Sequence, residues 1–481
     1  MSTTTLRLIE ASFHERPVKL RLPFRFGVVT LTQAPQAFVR ARVRLADDRE
    51  GEGVSAELLV PKWFDKSPAL SNEDNFDQLR RALEIARQHV LDAGTDTAFG
   101  LSAAVEATHH AACARVGLNG LVASFGLALI ERAIIDAFGR LEGASVFDLV
   151  RGNRIGLGAA TAPDLAGFDF DAFLADLRPA PGIFARHTVG LVDALTKAET
   201  AGKRLDDGLP ESLEEVIAVY GQRYFKLKVA GALDADIDRL SRIAAVLDRM
   251  PEPYFATLDG NEQFEHVEAV IALWRRIDAE PRLRRLKGSI LFVEQPIART
   301  KALAEPIHAL AREISVEIDE SDADIGIFPA ARALGYRGIS AKSCKGFYRA
   351  LLNRARAAAW NAEGAEQYFM SAEDLTTQAG IAVQQDLALA TLIGATHVER
   401  NGHHYVDGMA GAPEREQLDF LSAHPDLYQR AGGRVRLAIR SGALALGSLA
   451  RTPGLAVGAI PDWDAMQPMQ CTPAKADAAL S

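Results

Sequence analysis

Hydrophobic and polar positions alternate in three places along the first sixty residues: Leu6-Arg-Leu-Ile-Glu10, Lys19-Leu-Arg-Leu22 and Ala37-Phe-Val-Arg-Ala-Arg-Val-Arg-Leu45. A period of two marks half-buried strands. The period then lengthens. Phe76, Leu79, Leu83 and Val90 recur at near-helical spacing within Asn75–Leu91. A second helical pattern runs from Leu101 to Val116, and Leu121–Gly139 is a third, strongly apolar one. Strands followed by helices predict an α+β domain over residues 1–150. Phe24, Phe26 and Trp63 fall in Pro- and Gly-flanked loops of this part.

Residues 151–186 are rich in Gly, Ala and Pro and read as a connection or an insertion. From His187 onward, strand candidates alternate with amphipathic helices. The strands are expected near 188–193, 223–229, 254–259, 290–294, 315–319, 337–342, 366–371 and 395–399. Eight such units predict a (β/α)8 barrel over 187–430, with its chemistry at the C-terminal strand ends. Residues 431–481 contain further strand-like runs and are expected to return to the N-terminal domain, completing a cap over the barrel.

The strand ends carry charge. Tyr224-Phe-Lys-Leu-Lys-Val229 places Lys226 and Lys228 on one strand face, because residues i and i+2 point the same way. Two neighbouring cations are costly unless anions neutralise them. The next three strands end in Asp259, Glu294 and Asp319, and a fourth ends in Lys342. The steps from Lys228 are 31, 35, 25 and 23 residues, each about one βα unit. Singly, these residues have ordinary readings: Lys-x-Lys is a solvated strand face, and Asp259-Gly-Asn261 is a turn. Their recurrence at consecutive strand ends is what those readings leave unexplained.

Three convergent carboxylates need a cation among them, and all-oxygen ligation selects a hard ion such as Mg2+. Lys228 and Lys342, on the second and sixth strands, would face each other across a substrate. A divalent ion with opposed lysines suits removal of the proton next to a carboxylate, because the ion takes charge from the enolate. A lysine serves as base when a neighbouring cation lowers its pKa, and Lys226 is such a neighbour of Lys228.

The chain is long enough for more than one domain, since single cores stop growing near roughly 250–300 residues, against 481 here. A net charge of −9 argues against nucleic acid or an anionic membrane as partner. Three scattered cysteines exclude a disulfide framework. The most apolar run, Leu121–Phe138, is interrupted by Glu131, Arg132 and Asp136, which a membrane span would not explain. The start lacks a secretory pattern, so a soluble, cytoplasmic protein is expected, and symmetric homo-oligomers are the general expectation.

Lys226-Leu-Lys228, Asp259-Gly-Asn261, Val293-Glu-Gln-Pro296, Ile318-Asp-Glu-Ser321 and Ala341-Lys342 resemble the successive active-site signatures of the enolase superfamily, muconate-lactonizing-enzyme subgroup. Ile130-Glu-Arg-Ala-Ile-Ile-Asp136 and Pro453-Gly-Leu-Ala-Val-Gly458 extend the likeness beyond the barrel. The resemblance implies Asp259, Glu294 and Asp319 as metal ligands, Lys228 and Lys342 as the acid/base pair, and Lys226 on the substrate-carboxylate side. The implied activity is Mg2+-dependent racemisation or epimerisation of a small carboxylate. A β-eliminating lyase or a cycloisomerase is the alternative, and a non-catalytic binder that keeps the motif is another. The chain departs from the family in its extra segments at 151–186 and 412–435. It has His397-Val-Glu-Arg-Asn401 where dipeptide epimerases carry Asp-x-Asp, and no histidine ends the seventh strand. Glu373, Asp374 and Glu399 at the later strand ends are further substrate or helix-capping candidates.

Overall fold

A computed structural model describes residues 4–26, 29–364 and 366–471. Its first sheet is built from β1 (Leu6–Phe26), β2 (Val29–Leu45) and β3 (Glu50–Leu58), each antiparallel to the next. The two alternating runs at Leu6 and Lys19 are thus one long strand, and Phe24 lies in that strand rather than in a loop. The side chain of Phe26 lies outside the described residues. Helices α1 (Asn72–Asp92) and α3 (Gly120–Leu141) pack on this sheet, and α2 (Ala98–Arg115) packs on those two helices. Ser71 starts α1 with a capping box: its hydroxyl accepts from the Asp74 amide, and the Asp74 carboxylate accepts from the Ser71 amide. α3 is buried along nearly all its length. Gly53 lets β3 lie directly on it, since a Cβ there would fall 2.1 Å from the Ala137 nitrogen.

Eight parallel strands follow: β4 (Gly182–Val189), β5 (Tyr224–Lys228), β6 (Phe255–Asp259), β7 (Ile290–Glu294), β8 (Val316–Ile318), β9 (Gly338–Ala341), β10 (Phe369–Ala372) and β11 (His397–Arg400). They pair in chain order, and β11 returns to β4 to close the ring. The first of them begins at Gly182, inside the stretch expected to be a connection and ahead of the strand expected at 188–193. Its buried run Ile183-Phe-Ala-Arg-His-Thr-Val189 carries Arg186 and His187 into the interior. Those two charged or polar residues disguise a buried strand as a polar one.

The last segment contains the hairpin β12 (Tyr428–Ala431) and β13 (Arg434–Leu437), turned by Gly432-Gly433 with both φ values positive. β14 (Ala443–Ala445) adds antiparallel to β4. β15 (Gln467–Pro468) pairs with β1 at His14 and Glu15, so the tail completes the cap as expected. Asp136 of α3 ties the two ends of the chain together. Its carboxylate accepts from the Val54 amide at 3.0 Å and from the Leu455 amide at 2.9 Å. No helix among the described residues is long and apolar enough to cross a membrane.

Candidate active site at the barrel mouth

The barrel brings every predicted site residue to its C-terminal rim or the layer beneath. Lys228 is the last residue of β5 and stands opposite Asp259, which in turn stands opposite Glu294 on β7. Asp319 follows β8 and Lys342 follows β9 directly. All are buried. A small cavity of about 20 Å3 between cap and barrel is lined by Lys226, Lys228, Asn261, Asp319, Lys342 and Glu399, roofed by Phe24 and Trp63. The Lys342 ammonium sits 5.0 Å from the centre of the Trp63 ring. A larger open cleft of about 750 Å3, around Arg415, Asp419 and Asp464, lies away from the strand ends and lacks this convergence.

Lys226 is the hub. Its Nζ lies 2.9 Å from Asp259, 2.7 Å from Glu294, 2.9 Å from Glu373 and 3.0 Å from Glu399. An ammonium has three protons to donate, so four carboxylates saturate it. Lys228 Nζ is 2.5 Å from Asp259 Oδ2, and Lys342 Nζ reaches both Asp319 oxygens at 2.6 and 2.7 Å. Lys345, which sequence reasoning left without a role, bonds Ser340 Oγ at 2.9 Å and pairs with Asp322 at 3.1 Å.

The backbone beneath is strained where the chemistry sits. Asn261, Glu262 and Gln295, just past β6 and β7, have φ of 40°, 69° and 29°, a region non-glycine residues seldom occupy. Gln295 uses the resulting orientation: its Oε1 accepts from the amides of Asp319 and Ser321, and its Nε2 donates to Ser321 Oγ. It therefore fixes Asp319 from the neighbouring strand. Asn261 donates from its amide to Asp259 Oδ1 and from Nδ2 to Glu320.

Two residues that carry the site's electrostatics escaped the sequence reading. Glu317 lies two positions before Asp319 on β8, and Arg186 lies within the misplaced β4. The period-two rule applied backwards from Asp319 would have found Glu317. Arg186 pairs with Glu373, and Ser371 donates to Glu317 at 2.9 Å. The barrel interior, usually filled by stacked branched apolar side chains, is here ionic. Six buried carboxylates (Asp259, Glu294, Glu317, Asp319, Glu373, Glu399) face five buried cations (Arg186, Lys226, Lys228, Lys342, Lys345).

This excess of acid shifts protonation in opposite directions. Burial pushes Glu294 and Glu317 well above the usual carboxylate range, with Asp259 and Glu373 adding repulsion at Glu294. Burial works the same way at Asp259 and Asp319, but Lys226 and Lys228 hold Asp259 low, and Lys342 and Lys345 hold Asp319 low. Burial lowers Lys342, yet the Asp319 carboxylate more than reverses this and keeps it charged. Glu294 Oε2 and Glu317 Oε2 are buried with no hydrogen-bond partner. Among the described residues, Glu294, Glu317 and Glu373 bring one oxygen each within 4.8 Å of one another. Among the described residues the predicted trio does not form such a group, and Asp259 and Asp319 pair with Lys228 and Lys342. An all-oxygen donor set, short of positive charge and holding orphaned carboxylate oxygens, fits a hard divalent ion. Cys344, beside these groups, is a packed buried residue whose thiol burial pushes up.

No protein-family model matches the sequence, and no curated protein does. Solved structures match along almost its whole length. A magnesium-complexed member of the enolase superfamily from Roseovarius nubinhibens ISM aligns over 97% of this chain and 99% of its own, with 16% identity and a TM-score of 0.56. A dipeptide epimerase from Enterococcus faecalis V583, complexed with Mg and the dipeptide L-Leu-L-Tyr, covers 94% and 100% with 15% identity and a TM-score of 0.59. The 2-chloromuconate cycloisomerase from Rhodococcus opacus 1CP covers 96% and 98% with 18% identity and a TM-score of 0.55. The barrel with its two-ended α+β cap is the fold of these enolase-superfamily enzymes.

Proposed function

We propose that this protein is an enzyme of the enolase-superfamily type that removes the α-proton of a small carboxylate and returns it, so that racemisation or epimerisation results. The observation that carries the reading is the pair Lys228 and Lys342 lining one cavity from β5 and β9, four strands apart in a ring of eight. A substrate held between them offers each lysine one face of the same carbon. Asp259, Glu294 and Asp319 would hold a divalent ion, with Glu317 and Glu373 supplying further negative charge beside them. When bound, that ion supplies Lewis acidity for the enolate charge.

The chain's own residues do the proton work. Lys342 is held charged by Asp319, so it begins as a proton donor; engaging Asp319 elsewhere would relax that hold. Lys228 and Lys226 both contact Asp259. Lys226, on the carboxylate side of the substrate, keeps four acids in register. Phe24 and Trp63 close the cavity from the cap and exclude water, which strengthens every charge interaction inside. The aromatic roof lies directly over the lysines and leaves little room, which favours a compact substrate. That similar folds bind a dipeptide or are cycloisomerases supports the carboxylate class without choosing among its members.

The test is 1H NMR in D2O with Mg2+ on a panel of N-acylamino acids, dipeptides, sugar acids and lactones. Loss of an α-proton signal with no new compound is the expected result. A vinyl or keto signal would make the protein a lyase, and lactone isomerisation a cycloisomerase. Ligand binding without any exchange would overturn the catalytic reading.

A further inference from the structure

Glu131 and Arg132, charges that interrupt the apolar α3, are buried and take no part in the site chemistry above. Both reach the loop that follows Lys342. Arg132 Nη1 donates to Ser343 Oγ at 3.1 Å, and its Nη2 donates to the Ala56 carbonyl at 3.2 Å and to Glu57 at 3.3 Å. Ser343 Oγ also donates to Glu57 at 3.3 Å. Glu131 Oε2 accepts from the Phe347 amide at 3.1 Å, and its other oxygen accepts from Ser102. Two adjacent residues of a cap helix therefore grip both ends of Ser343–Phe347. Between the two grips lies Gly346, with φ of +135°, a conformation open to glycine and strained for other residues.

The two candidate acid/base lysines differ in what fixes them. Lys228 is the last residue of β5 and still pairs in the ladder with Asp259. Lys342 lies one residue beyond β9, which ends at Ala341, so its backbone leads straight into the gripped loop. The loop's first turn is closed by the Lys345 amide donating to the Lys342 carbonyl at 2.9 Å. The Ser343 amide also donates to Asp386 at 3.2 Å, so the two cap residues share the hold on a loop that adjoins Lys342 and is remote in sequence from Lys228.

We infer that Arg132 and Glu131 are positioning residues by which the docked cap sets the geometry of Lys342 alone. The inference rests on the proposed two-lysine reaction. A misplacement of about 1 Å at a reacting group costs on the order of 10²-fold in rate, and the loss should fall on one substrate face.

The experiment uses full-length Arg132→Met, the charge-balanced double variant Glu57→Gln/Arg132→Met, and Glu131→Ala, each loaded with Mg2+. Solvent deuterium incorporation is followed separately for N-acetyl-L- and N-acetyl-D-amino acids, and amide hydrogen exchange is read by mass spectrometry over 343–347. The expected result is a loss of about 10- to 100-fold for the isomer whose proton Lys342 takes, as identified with Lys342→Ala. The other isomer should change less than about 3-fold, with faster amide exchange confined to 343–347. Equal losses for both isomers, or unchanged amide exchange in 343–347, would overturn the inference. A wild type that exchanges none of these α-protons counts against the proposed reaction on these substrates, while the amide exchange still decides whether the cap holds the loop. The double variant guards against misfolding from a stranded Glu57 charge.

Discussion

Replacing Lys226 with Met is the most demanding test of the ionic barrel. Four carboxylates lie within 3.0 Å of its Nζ, and none of the five side chains is more than 3% exposed. At an effective dielectric of about 20, each contact is worth roughly 5 kcal/mol before desolvation is subtracted. The net loss from stranding a buried charge is about 3–5 kcal/mol, a large share of the 5–15 kcal/mol typical of a folded protein. The pH dependence gives the signature. In the wild type, Lys226 is charged well above the ordinary lysine range, so its stabilisation is fully present from pH 5 to 8 and is lost only on titration above that. In the variant, the stranded acids must bind protons in the folded state, which raises their folded pKa above the unfolded value. Stability from such groups is present at low pH and lost as pH rises through the raised folded pKa. Urea denaturation in metal-free buffer should therefore show the deficit at its largest at pH 8 and reduced at pH 5. A deficit below about 1 kcal/mol, or one equal at both pH values, would refute the assignment of Lys226 as the hub.

Three further outcomes are expected. Lys228→Ala and Lys342→Ala should each keep the fold and each abolish α-proton exchange from one stereoisomer, and full activity in either would remove that lysine from the mechanism. Asp259→Asn should weaken Mg2+ binding and activity together, read by calorimetry and deuterium exchange; unchanged metal affinity would contradict its role as a ligand. Burial, with repulsion from Asp319, pushes Glu320 up to about 7. Its folded pKa exceeds the unfolded one, so stability present at low pH is lost as pH rises through 7. Glu320→Gln should remove up to about 3 kcal/mol of that slope between pH 5 and 8, measured by the same denaturation series.

What the sequence disclosed follows from where its signals come from. The strands ending at Asp259, Glu294, Asp319 and Lys342 were legible because each carries an apolar run into a charged end, repeated at one βα spacing. The first barrel strand was not, because Arg186, His187 and Thr188 make a buried strand look polar, and proline and glycine precede it. Glu317 was hidden by its better-placed neighbour Asp319. The grip of Glu131 and Arg132 joins residues more than two hundred positions apart, and no local pattern announces such a contact. The left-handed turn at Gln295 likewise became visible only when its side chain was seen bonded to the next strand.

The ionic interior also constrains how this chain can change over generations. An apolar barrel core tolerates one-at-a-time swaps of similar volume. Here a single neutral substitution among Arg186, Lys226, Glu294, Glu317, Glu373 or Glu399 strands its former partner in a dry interior, whereas removing a cation together with an anion can be close to neutral. The accessible mutational paths thus run in charge-balanced pairs, and the effects of single changes will not add. Descendants of this sequence should keep the interior sextet whole or lose it two residues at a time.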